Sequence, residues 1–136
     1  MAGLGQAALQ VAIFNALSAD ANLMAKVTAI YDAPPAGAIF PYVVMGDGTL
    51  KDASLKQSAG AEHKFQVDVW ADDSGRMPVK EALDLIHTVL HDATLTLSAD
   101  HLVMIRCESG FDKRVDDGTT VLYQGALVFK AIVRAA

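Results

Sequence analysis

His87 and His91 stand four positions apart in "EALDLIHTVLHDA", so in a helix their rings share one face. That spacing can hold a transition metal, and Asp84, one turn earlier, is a conceivable third ligand. A zincin-type metalloprotease needs Glu directly after the first histidine, and Thr88 occupies that place. The pair therefore reads first as the solvent side of a helix that buries Ile86, with Asp84 pairing electrostatically with His87; a His87/His91 metal enzyme is the minority reading. Asp72 and Asp73 before Ser74-Gly75-Arg76 are what helix capping and the helix dipole favour. "GDGTLKDASLK" lacks the spacing of a phosphate-binding loop, and neither Ser58 nor Ser74 has the context of a nucleophile elbow. Lys113-Arg114 among Asp112, Asp116 and Asp117 reads as a mixed-charge hairpin tip, solvated or touching a partner or DNA. Trp70 is either a contact anchor or a side chain buried beneath a helix. Cys107 is alone, which leaves no internal disulfide and no cysteine metal cluster; it reads as a small buried hydrophobe.

The elements that position these residues follow from hydropathy periods. Residues 2–19 predict a helix with apolar residues (Leu4, Leu9, Val11, Ile13, Phe14, Leu17) around most of its circumference, so it needs cover on more than one side. Asp20 caps a short second helix over "ANLMAKV", and Pro34-Pro35 excludes helix beyond it. Two strands follow, Phe40 to Met45 and Ala61 to Ala71. The second alternates Phe65, Val67 and Val69 on one face with Lys64, Gln66, Asp68 and Trp70 on the other. The polar, glycine-bearing stretch between them is expected to be a protruding loop or extended β-arm. Ser74 or a neighbour should cap a helix with the stripe Val79, Leu83, Ile86 and Val89 or Leu90, with Pro78 in its first turn. After "TLTL" come a strand from His101 to Glu108, a polar loop over 109–119 and a strand from Thr119 to Arg134, the two strands forming a long antiparallel hairpin. In the last strand Val121, Tyr123, Gly125, Leu127, Phe129, Ala131 and Val133 share the core parity.

The fold class is therefore α+β: a mixed, mainly antiparallel sheet packed against two main helices, in one domain over residues 1–136. A chain of this length buries roughly 68% of its unfolded surface and needs neither metal nor disulfide to fold. With 52% hydrophobic residues, part of the apolar surface is expected to face other subunits. A net charge of −5 argues against a general nucleic-acid binder. No apolar run reaches the roughly 18 residues of a membrane span, and the start has no signal-peptide pattern, so the expectation is a cytoplasmic protein until it is exported or packaged. No internal repeat or linker divides the chain.

Taken together, "ALQVAIFNALSADANLMAKVTAIYDAPP", "FPYVVMGDGT", "EHKFQVDVWADDSGRMPVKEALDLIHTVLHDATL" and "GTTVLYQGALVFKAIV" resemble the tail-completion family of long-tailed phages, prophages and gene transfer agents. Met77-Pro78 departs from the charged residues expected after the "SGR" turn. The resemblance implies a tail terminator: a six-fold ring on the head-proximal end of the tail tube that stops polymerisation and meets the neck. Implied partners are further copies of the chain, a homo-hexamer in the particle and a monomer in solution, together with the tail tube protein and a neck or stopper protein. DNA passes through without specific binding, and neither cofactor nor metal is implied. The expected contact residues are Leu50, Lys51, Asp52, Leu55, Lys56, Lys113 and Arg114, on segments 48–61 and 110–119 that project from the core, together with Trp70 on the outer face of its strand. A neck or stopper protein one layer closer to the capsid is the alternative within assembly.

Overall fold

The computed structural model describes residues 4–72, 75–98 and 100–135. Among these residues three helices, α1 (Gln6–Ser18), α2 (Ala21–Met24) and α3 (Met77–Leu90), accompany five strands: β1 (Ile30–Tyr31), β2 (Tyr42–Asp52), β3 (Gly60–Ala71), β4 (Asp100–Asp116) and β5 (Val121–Ala135). The strands form one sheet in the order β1-β2-β3-β5-β4. Only β1 and β2 run parallel; every other neighbouring pair is antiparallel. The fold is α+β.

Helix α3 follows its period closely. Val79, Ala82, Ile86 and Leu90 are fully buried, with Leu83 and Val89 partly buried beside them. Gly125 on β5 lies beneath this helix, and a Cβ there would collide with the side chains of Val79 and Leu83. The missing side chain is what lets α3 sit close to the sheet. The cap expected at Ser74 falls outside the described residues; the residue preceding the helix is Arg76, which makes no side-chain cap bond, and Pro78 occupies the first turn.

Helix α1 starts at Gln6 after the left-handed Gly5, later than the expected residue 2; it buries Leu9, Ala12, Ile13 and Leu17 and leaves Val11 and Phe14 exposed, as is Leu4 just ahead of it. The Asp20 carboxylate accepts the backbone N–H of Leu23 at 2.9 Å, which caps α2. That helix ends at Met24 rather than at Val27: the N–H groups of Lys26 and Val27 both turn back to the Leu23 carbonyl, and Val27 drops into the core. The buried apolar residues form one cluster between the helices and one face of the sheet, with Val67, Val69, Phe129 and Ile86 at its centre and Leu127 at its edge.

One expectation is overturned. Residues 109–116 are not a loop; β4 continues through them to Asp116, paired with β5 from Ser109 opposite Val128 to Asp116 opposite Val121. The polar sequence reflects an edge strand with solvent on one side, while Phe111 and Val115 still alternate with Asp112 and Arg114. Gly110 is required within it because a Cβ would meet the Leu127 side chain and the Ala126 carbonyl. The reversal is confined to Asp117–Thr120, where Gly118 has φ of 90°.

Candidate functional site

The residues singled out from sequence separate into two corners of the sheet and one outer face. At the first corner β2, after a bulge between Met45 and Gly48, runs out beside β3. Leu50, Lys51 and Asp52 end this strand, and Leu55 and Lys56 lie in the reversal, closed by a bridge between Leu55 and Ser58. Leu55 is 62% exposed and Leu50 39%. The Ser54 hydroxyl and N–H both bond the Asp52 carboxylate and hold it below the usual range, fixing the start of the turn. Arg134 braces the same turn from β5 by donating to the Ala53 carbonyl. Between this corner and α1 opens a cleft of about 260 Å³, walled by Leu9, Gln10, Ile13, Met45, Leu50 and Phe65.

The opposite corner holds Lys113 and Arg114. They do not form a solvated tip: Lys113 is paired with Gln124 and Arg114 with Tyr123, so successive side chains point to opposite faces of the sheet. Arg114 contacts Asp116 at 3.2 Å, and the Lys113 ammonium lies 5.7 Å from the centre of the Phe111 ring. The neighbouring Asp112 faces the helices, where it meets Arg76 at 3.1 Å and Lys80 at 3.9 Å. Arg76 also lies over the Tyr123 ring at 5.6 Å. This cluster joins residues distant in sequence across the sheet and helix, and no local spacing announces it. At the true tip, Asp117 accepts the N–H groups of Thr120 and Thr119 as well as the Thr119 hydroxyl, and its carboxyl is held down at about 2.

The face away from the helices carries Trp70, half-buried in a cross-strand row with Tyr42, Gln124 and Lys113 rather than beneath a helix. The next row contains Asp68, which is buried and accepts Gln66 Nε2 at 2.7 Å and Gln124 Nε2 at 3.2 Å. Further along, Lys64, Lys130 and Arg106 line up across three strands. Each is paired with an acid: Glu108 at 3.5 Å, Glu62 at 3.2 Å and Asp92 at 3.4 Å.

His87 and His91 stack with ring centres 4.6 Å apart. His91 is committed elsewhere, because its Nδ1 accepts the Cys107 backbone N–H at 3.0 Å while Nε2 lies 3.4 Å from the Asp92 carboxylate. It ties the C-terminal end of α3 to β4, and that contact was not legible from a four-residue spacing. Among the described residues no three His, Cys, Asp or Glu side chains converge as a metal would require. Cys107 is only half-buried, and desolvation pushes its thiol up.

Fold and site define a small α+β subunit whose exposed features are strand edges, apolar side chains and paired charges, the surface of an assembly component. The family model described as tail completion protein gp17 matches residues 11–134, and the chain belongs to that family. Its role is accordingly a structural one in a phage-type tail. A chain in the structure of the virion of a native gene transfer agent particle is 37% identical, with a TM-score of 0.86 over 95% of this chain and 96% of that one. None of the curated proteins matches.

Proposed function

We propose that this protein is a tail terminator: a ring, six-fold in the particle, that caps the head-proximal end of the tail tube, stops its polymerisation and meets the neck. The observation that carries this reading is the full-length similarity, in sequence and fold, to a chain of a gene transfer agent virion, together with membership of the tail-completion family. The protein is made in the host cytoplasm and ends in the particle, with further copies of itself, the tube protein and a neck or stopper protein as its partners.

The physical features suit that role. Apolar Leu4 ahead of α1, Val11 and Phe14 on α1 and Leu55 on the β2–β3 reversal are left uncovered in the single chain. The net charge of −5 favours passage of DNA, which carries a charge every roughly 1.7 Å of axis and would be held by a basic lining through counterion release. The acids beside Lys64, Lys130 and Arg106 offset the cations of the sheet's outer face.

Deleting the gene and imaging the tails by electron microscopy tests the proposal. Overlong tubes are the expected result. Tails of normal length lacking heads would identify a neck or stopper protein instead, and normal particles would remove both roles.

A further inference from the structure

Among the described residues, β2 and β4 each leave one long edge segment uncovered, and the two lie at diagonally opposite corners. On the β2 side, β1 covers only Val43 and Val44, so from Met45 to Asp52 no strand lies beyond β2 among the described residues. On the β4 side, the stretch nearest the start of the strand is occupied: the Asp92 N–H donates to the Ile105 carbonyl at 2.8 Å, His91 accepts the Cys107 N–H, and Thr96 bridges to His101. From Gly110 to Asp116 no such cover exists among the described residues.

The direction of the free backbone groups follows from the ladders. The Ala53 N–H donates to the Gly60 carbonyl, so alternate residues of β2 face β3, and Gly48, Leu50 and Asp52 turn their N–H and C=O groups outward. On the other side, the Ala135 N–H donates to the Ala59 carbonyl, which turns the odd-numbered residues of β5 toward β3 and the even-numbered ones toward β4. Their partners Ser109, Phe111, Lys113 and Val115 face inward, leaving Gly110, Asp112 and Arg114 facing out.

Resting on the ring reading above, we propose that the ring closes by main-chain pairing of the β2 corner of one copy with the β4 corner of the next. One molecule supplies both halves of this contact, with equal sets of outward groups. Strands β2 and β4 run in opposite directions, so copies placed side by side in the same orientation bring these edges together as an antiparallel pair. Such a head-to-tail contact generates a ring when the rotation between successive copies closes. The diagonal placement staggers successive copies, as a sheet curling into a closed barrel requires. Both corners carry charges, Lys51 and Asp52 on one and Asp112, Lys113, Arg114 and Asp116 on the other, which is how exposed edges are kept from pairing indiscriminately. Pairing then waits for a template that aligns the copies.

Amide hydrogen exchange on the free protein and on purified particles tests this directly. The amides of Gly48, Leu50, Asp52, Asp112 and Arg114 should exchange rapidly in the free chain and slow by roughly tenfold or more in the particle. Unchanged exchange at both corners overturns the proposal, and protection of the β2 corner alone assigns that edge to a strand of another protein and overturns it too. A second arm replaces Leu50. Leu50→Pro removes an outward N–H while leaving the β2–β3 ladder intact, whereas Leu50→Ala keeps the N–H. With folding verified by circular dichroism, the proline variant should lower particle titre by roughly tenfold or more relative to the alanine variant, which loses the same side-chain contact but keeps the N–H. Wild-type titre for Leu50→Pro in a system where gene deletion abolishes particles overturns the pairing alone; normal particles after gene deletion overturn the ring reading on which it rests.

Discussion

Asp117 shows how one side chain can make a turn depend on pH. It is fully exposed, yet backbone N–H groups of Thr120 and Thr119 hold its carboxyl at about 2, below its ordinary value near 4. Because the folded value is the lower one, its contribution to stability is complete above the ordinary value and is lost as pH falls through about 2. NMR titration of the Asp117 carboxyl should therefore show its midpoint well below those of freely solvated aspartates, and Asp117→Ala should abolish the order of the Thr119 and Thr120 amides. His91 carries a second residue-scale prediction. Removing the acceptor of the Cys107 N–H should make His91→Ala less stable than His87→Ala by about 1 kcal/mol in chemical denaturation. The metal reading of the pair makes the opposite demand, that both variants lose a stoichiometric ion, and metal analysis of wild-type protein prepared without chelators separates the two.

At the scale of elements, the contact between α3 and the sheet is the most constrained. Ile86 is fully buried, so Ile86→Ala should cost about 2–5 kcal/mol through the cavity it leaves. Gly125→Ala tests the same contact from the other side: its new Cβ collides with Val79, and the overpacking should destabilise by about 1–3 kcal/mol. Equilibrium unfolding of both variants checks the pair, and a wild-type midpoint for Gly125→Ala would mean that α3 lies farther from β5. The β2–β3 arm behaves differently. Its reversal contributes no residue to the buried cluster, so deleting residues 53–59 with a short turn in their place should leave the melting temperature within a few degrees of wild type. Particle assembly should nevertheless fail, because Leu55 and Lys56 are lost; a normal titre would take the arm out of the mechanism.

At the scale of the whole molecule, periodicity alone was enough to define the class of fold. The stripe of α3, the alternation in β3 and the core parity of β5 each bury apolar side chains on one face, and a sheet with two such strands must be covered by helices on that side. Residues 8–35, 40–49, 62–95 and 118–133 also carry the family resemblance, and the family match extends over residues 11–134. What sequence could not reveal was the extent of β4. A charged edge strand has solvent beside it and loses the hydrophobic signal that marks a strand, so residues 109–116 read as loop although they are paired along their length. The same limit applied to the contact residues. Leu50 to Lys56 and Lys113-Arg114 both read as exposed polar stretches, but only the order β1-β2-β3-β5-β4 places them at opposite corners of the sheet. Local pattern determines which face of each element is buried, because burial is a property of successive side chains. Which edges remain open is decided by the pairing of distant strands, and that exists only in the tertiary structure.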